Sequence, residues 1–276
     1  MQHTSSETSS ADGTRLFTRR WAPDRPTVAH VFIVHGVHEH SGRYAYAASA
    51  LMERGVEVHA VDLRGHGQSG GARASVGSFA EYSDDVALAL RPIVEASDVP
   101  VFLLGHSMGG LVASRLVVDH GAMGLAGLVL SSPALAVAAP PALRAVGAFV
   151  ARWAPRLPVT RLDLSRLSHD PRVARAYRED PLCTKSGVRA ALGHEILTSI
   201  AHVRAHVDAF TLPLYVFHGT DDQLTMPDGS RWIAEHAPST DKTLKLYDGL
   251  YHETLNEVER DAVLDDLATW ILDRAA

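Results

Sequence analysis

Apolar positions along the chain follow two rhythms. Short, almost continuous runs rich in β-branched residues alternate with longer stretches whose apolar positions recur every three to four residues. Residues 28–34 (VAHVFIV), 56–61, 99–104 and 125–130 belong to the first kind and predict strands buried on both faces. Residues 44–54, 79–97 and 111–120 belong to the second and predict helices, with Gly55 and Gly121 placed as left-handed stops for the first and third. Farther on, predicted strands at 214–217 and 243–246 flank a helix around 230–236, and 260–274 predicts a closing amphipathic helix. At the other end, the turn signal Asp12-Gly13 precedes two short strands expected around 14–21. The Ser/Thr-rich residues 1–11 have neither rhythm and read as a flexible tail.

Strand–helix alternation of this kind predicts an α/β fold, a mostly parallel central sheet flanked by helices. One stretch interrupts it. Between Ser132 and about Phe210 no buried strand is evident; Pro140-Pro141, an apolar segment at 143–153, Pro155 and Pro158 lead into helical pieces reaching His206. The economical reading is a helical cap at 134–210, inserted between core segments 12–133 and 211–276. Most of its apolar residues (Leu135, Val137, Leu143, Val146, Phe149, Val150, Trp153) are expected to pack the cap on the core. The rest are candidates for an acyl tunnel or for transient contact with a lipid surface.

Composition narrows the choices. A chain of 276 residues, 46% hydrophobic, can bury a large core without covalent staples, and its single cysteine, Cys183, rules out an internal disulfide. Twenty-six basic against 32 acidic residues, net −6, supply no general attraction to nucleic acid, so nucleic-acid partners are not expected. No uninterrupted apolar run reaches the roughly 18 residues of a membrane span, and the start lacks a signal-peptide pattern, so a cytoplasmic location is the expectation.

The strongest chemical signal is Gly105-His106-Ser107-Met108-Gly109, followed by Gly110. It matches G-x-S-x-G between a predicted strand and a predicted helix, the context of the nucleophile elbow of α/β hydrolases. The flanking glycines suit a turn where backbone crowds the nucleophile, and the helix start supplies free N–H groups. A serine hydroxyl needs a positioned base, and in this fold the chain order is Ser, acid, His. His252, in the loop after the last predicted strand, is the expected base among 16 histidines. The acid is expected from His218-Gly219-Thr220-Asp221-Asp222; spacing does not separate Asp221 from Asp222, and Asp248 is a weaker rival. His218 reads as a structural hydrogen-bonding residue. Oxyanion donors are expected from the backbone of Met108 and of Val37, in the loop after residues 28–34. His38-Glu39-His40 lacks the H-E-x-x-H spacing and reads as a polar rim; no metal and no cofactor are expected.

Residues 35–44 (HGVHEHSGRY) closely resemble a segment of the monoacylglycerol lipase family of α/β hydrolases, a serine-hydrolase group that includes lysophospholipase-like members. So do residues 62–69 (DLRGHGQS), 105–110, Asp180-Pro181-Leu182, 218–222 and Tyr251-His252, which spreads the resemblance over nearly the whole chain. The resemblance implies Asp222 as the acid, Val37 and Met108 as oxyanion donors, a helical cap, and Glu39, Arg43 and Tyr177 around the glycerol head of a substrate. Mammalian members carry a further histidine three residues past the catalytic one, where this chain has Leu255. Head-group recognition is therefore open to change. Cys183, beside Asp180-Pro181-Leu182, is expected within reach of thiol reagents. The function expected is hydrolysis of monoacylglycerols through an acyl-enzyme. Its rivals are a broad short- or medium-chain carboxylesterase, a lysophospholipase, an amide-cleaving relative, and a non-catalytic binding module on the same fold.

Overall fold

The computed structural model describes residues 2–137 and 141–275, and the side chains of all of these except 2 and 141–146. Strands β1 (Gln2–Ser9), β2 (Arg15–Ala22), β3 (Ala29–Val34), β4 (Val56–Val61), β5 (Val101–His106) and β6 (Gly127–Ser131) occupy the first half. They are interleaved with helices α1 (Ala45–Met52), α2 (Ala80–Ala96) and α3 (Met108–His120). Beyond β6 come α4 (Pro141–Trp153), β7 (Pro158–Thr160), α5 (Pro171–Glu179), β8 (Val188–Arg189) and α6 (Ala190–Ala205). The chain then forms β9 (Leu214–Gly219), α7 (Pro227–His236), β10 (Lys242–Tyr247) and α8 (Arg260–Leu272).

One sheet runs β1-β2-β4-β3-β5-β6-β9-β10, parallel from β4 to β10, with β1 and β2 antiparallel at one edge. Every residue of β5 is buried. Its alternate side chains go to opposite faces: Val101 and Leu103 join a core with α2 and α3, Phe102 and Leu104 one with α1 and α8. This two-sided burial is why the central strands read as continuous apolar runs. Because the strands from β4 to β10 point the same way, the loops that follow β3, β5, β9 and β10 emerge along one edge of the sheet.

The expected tail is instead a strand. Residues 2–9 pair with β2 across the Asp12-Gly13 turn, so this hairpin replaces the two short strands expected around 14–21. Gly13 supplies the positive φ of 83° that the turn requires, and the Asp12 side chain accepts from the Thr14 amide at 2.9 Å. β1 buries almost nothing. It is held by the backbone ladder and by cross-strand pairs, among them Ser6 with Thr18, Glu7 with Arg15, and His3 stacked on Trp21. An edge strand of this sort has no hydrophobic alternation by which to recognise it.

Among the described residues the insertion between β6 and β9 contributes no strand to the main sheet, but it is not wholly helical. β7 and β8 form a short antiparallel pair, too brief to leave an alternating pattern. Its apolar residues also divide differently from expectation. Leu135 is buried in the core, while Val137 and Val150 line a cavity beneath the insertion. Phe149 and Trp153 are 67% and 70% exposed. The side chains of Leu143 and Val146 lie outside the described residues. Among the described residues no helix is long and apolar enough to cross a membrane.

Candidate active site

Ser107 sits between β5 and α3 with φ 55° and ψ −120°, a region that L-residues rarely occupy. The neighbouring glycines explain how the chain tolerates this turn. A Cβ on Gly105 would stand 2.3 Å from the Gly109 carbonyl oxygen, and one on Gly109 would stand 2.1 Å from that of Val34. Both contacts are backbone, which has nowhere to retreat. Gly109→Ala is therefore expected to cost about 3 kcal/mol or more of folding stability, measured by denaturant unfolding. A loss below about 1 kcal/mol would mean that the elbow is looser than its geometry.

The Ser107 carbonyl accepts from Gly110, Leu111 and Ala134 at 3.0, 3.3 and 2.9 Å, and the Ser107 amide donates to Ser131 at 2.9 Å. These bonds pin the turn at the start of α3. Helix α3 begins at Met108, earlier than the apolar spacing indicated, so the Met108 amide is one of the unpaired first N–H groups of a helix. The Val37 amide has no acceptor among the described residues.

The loop that carries Val37 is held by two side chains. His35 accepts from the Leu63 amide on Nε2 at 3.0 Å. An amide can only donate, so the imidazole proton is on Nδ1 and goes to the Gly36 carbonyl at 2.7 Å. Glu39 accepts from the Gly36 amide at 2.6 Å, from Tyr44 at 2.9 Å and from Arg43 at 2.6 Å. Arg43 also makes a two-pronged pair with Glu253, both contacts at 2.7 Å, and its guanidinium lies 5.0 Å from the centre of the Tyr177 ring. Tyr177 donates to the His38 carbonyl at 3.1 Å. Glu39, Arg43 and Tyr177 thus form one buried network, and they brace the loop as well as lining the cavity. Glu253 completes it. Only its position next to His252 could have drawn attention to it in the sequence.

Asp222 is buried, whereas Asp221 and Asp248 are exposed. Its Oδ2 accepts from His252 Nδ1 at 2.7 Å and from His218 Nε2 at 2.9 Å, and its Oδ1 accepts from the Leu224 and Thr225 amides. The two histidines therefore hold opposite tautomers. His218 spends its proton on Asp222 and accepts from the Ser230 hydroxyl on Nδ1 at 2.7 Å, so it has no basic nitrogen to spare. His252 carries its proton on Nδ1, which leaves the Nε2 lone pair for another group. Burial opposes charge on His252, but the Asp222 carboxylate, its hydrogen bond, Glu253 and Glu39 outweigh it and raise the imidazole above its ordinary range. Burial likewise opposes the Asp222 charge; His252 and His218 overcome it and hold the carboxyl far below the usual carboxylate range. The His106 ring lies 4.8 Å from that of His252, and burial foremost, then His252, pushes it down to about 3. It is a neutral wall.

Ser107 and His252 line one cavity of about 600 Å³ together with Val37, Met108, Glu39, Arg43 and Tyr177. The insertion supplies the opposite lining, largely apolar: Val150, Val159, Leu162, Ile196 and Leu197. All eight site residues expected from the sequence therefore meet at this cavity, seven in its lining wall and Asp222 behind His252. Leu255 is packed in the core with α1 and α8 and is absent from the cavity lining. One expectation changes. Cys183 is buried against Leu167 and Tyr177, and burial pushes its thiol up to about 12; a thiol so placed is unreactive, contrary to the expected accessibility.

Residues 25–259 match the family model described as serine aminopeptidase, S33. The chain belongs to the S33 family of α/β hydrolases. It is 36% identical over 269 residues to a monoacylglycerol lipase of Mycolicibacterium smegmatis, covering 94% of each chain. It is 34% identical over 273 residues to the monoglyceride lipase of Homo sapiens, covering 96% of this chain and 89% of the relative. The crystal structure of a Paleococcus ferrophilus monoacylglycerol lipase superposes with a TM-score of 0.81 at 28% identity, covering 99% of this chain and all of the other. The insertion after β6 roofs the edge of the sheet at which this cavity lies.

Proposed function

We propose that this enzyme hydrolyses monoacylglycerols to free fatty acid and glycerol, with Ser107, His252 and Asp222 as its catalytic triad. The observation that carries the reading is the cavity's division. One part is charged and hydrogen-bonded, with Glu39, Arg43 and Glu253 near the triad and Tyr177 of the cap closing on them; the rest of the lining, mostly from the cap, is largely apolar, with Arg161, Asp163, Arg166 and His194 interspersed. A single acyl chain with a hydroxyl-bearing head matches both parts. A second acyl chain would have to lie against the buried Arg43 ion pairs, which apolar groups cannot satisfy. Relatives of the chain that bear the same activity in their names add support.

In this scheme Ser107 Oγ attacks the ester carbonyl while His252 Nε2 takes its proton. The tetrahedral oxyanion is held by the Val37 and Met108 amides, each such donor being worth about 10²–10³ in rate. His252 then passes the proton to the departing glycerol oxygen, and water cleaves the acyl-enzyme by the same base. Asp222 keeps His252 in the required tautomer and stabilises the imidazolium. The exposed Phe149 and Trp153 of the cap suit brief contact with a lipid surface, where such substrates reside.

The test compares a monoacylglycerol with the corresponding diacylglycerol and with nitrophenyl esters of increasing chain length. Monoacylglycerol turnover at a kcat/KM at least about 100-fold above that of the diacylglycerol is expected, because buried polar groups left unpaired penalise the wrong substrate. Activity confined to short nitrophenyl esters would replace this reading with that of a general carboxylesterase.

A further inference from the structure

The end of the sheet remote from Ser107 carries a second cluster of chemistry-bearing side chains. His30 lies on β3, Glu57 and His59 lie on β4, and Arg20 lies on β2. Strand register brings them together: His30 is paired with Glu57, and Arg20 with His59. Residues two apart on a strand share a face, so Glu57 and His59 project to the same side as their partners. His30 is also paired with Val101, the first residue of β5. Ser107 lies six positions farther along that strand direction, which at strand rise is about 20 Å away.

The spacing of the donor atoms is specific. His30 Nδ1 is 3.1 Å from His59 Nε2, which is 3.1 Å from Glu57 Oε1, and His30 Nδ1 is 3.8 Å from that oxygen. The point equidistant from three atoms so arranged lies about 2.0 Å from each, the length of a Zn–N or Zn–O bond. Two imidazoles and a carboxylate are a borderline-soft donor set suited to zinc and its neighbours, and an ion drawn slightly out of the plane of the three atoms has a distorted tetrahedral geometry with one position for water. The side chains of His30, Glu57 and His59 are 16%, 6% and 12% exposed, buried enough to be held and open enough for an ion to enter.

We propose that His30, His59 and Glu57 form a binding site for one zinc-type divalent cation, tying β3 to β4 at the end of the sheet opposite the catalytic cavity. Coordination requires lone pairs on His30 Nδ1 and His59 Nε2. The proton shared in their hydrogen bond moves to the outer nitrogen of the ring that carries it, with no change in charge. Arg20 is the competitor. Its Nε and Nη2 reach Glu57 at 2.5 and 3.0 Å, but its side chain is 51% exposed and has solvent to retreat into. The ion acts on stability through mass action and has no part in ester cleavage.

The experiment is calorimetric titration of chelator-treated, tag-free protein with Zn²⁺, alongside Co²⁺ absorption spectra and the esterase rate. One ion per chain is expected at this site. His30→Gln and His59→Gln should weaken it by about 100-fold or more, as loss of a ligand exceeds the 10–100-fold cost of losing a supporting partner. Arg20→Gln should tighten it, a response that generic histidine affinity does not give. Esterase kcat should equal wild type in all three variants, which also reports that they are folded. Equal zinc affinity and stoichiometry in wild type, His30→Gln and His59→Gln would overturn the proposal. So would loss of the ion only in Cys183→Ser, which would move it to His40, Asp180 and Cys183, whose ligand atoms also lie within 4.8 Å of one another.

Discussion

Ser107→Ala is expected to lower kcat for ester hydrolysis by about 10⁵–10⁶-fold while leaving the fold intact. The size of the loss follows from the scheme. Without the hydroxyl no acyl-enzyme forms, and what remains is the contribution of the oxyanion donors and of binding. The backbone strain at φ 55° is the same for alanine as for serine, so stability should change little. Steady-state kinetics, a thermal melt and labelling with a fluorophosphonate probe check the three parts together. Residual activity above about 1% of wild type, or persistent labelling, would place the nucleophile elsewhere. A wild-type protein that neither labels at Ser107 nor turns over any ester would be a binding module on the same fold, whereas labelling without ester turnover would point to a hydrolase of another substrate class.

Asp222→Asn should cost about 10⁴-fold in kcat, with little change in KM. The carboxylate accepts from both His252 and His218, and it can do so because it has no proton of its own. An amide in its place can turn a donor toward His252 Nδ1, which moves the imidazole proton to Nε2 and removes the lone pair that Ser107 needs. The pH dependence supplies a second readout. In the proposed scheme His252 acts as base only when neutral, so kcat/KM is expected to rise with pH through its pKa. Asp222, Glu253 and Glu39 raise that pKa, and the acid limb of the wild-type profile is expected above the ordinary imidazole value of about 6.5. With the charge of Asp222 removed, burial prevails and the limb should move to lower pH. An unmoved limb, or a loss of less than about tenfold, would transfer the acid's role to another residue. The exposed Asp221 and Asp248 would be the first to examine.

What the sequence determined by itself was whatever depends on neighbours close in the chain. The apolar runs of β3 to β6, the glycine stops and the strand–turn–helix around Ser107 are set by local sterics and by two-sided burial, and both leave periodic or positional marks. The order of loops along a parallel sheet brought His252 and the Asp221-Asp222 pair into consideration for the same reason. The separation of those two aspartates was different: one is buried between two histidines and the other faces solvent, and adjacent residues in a loop carry no pattern that says which. Strand β1 was invisible because an edge strand needs hydrogen bonds and no apolar face. Glu253 became part of the site only because Arg43, 210 positions earlier, meets it across the cavity. Cys183 was expected to be reachable from its place beside Asp180-Pro181-Leu182, but packing turned it into the interior, and Leu255 is buried as well. Long-range pairing of charges, choice of face and burial are decided by the closure of the whole sheet and its cap. Only the tertiary structure brings those distant segments together, so only it could decide them.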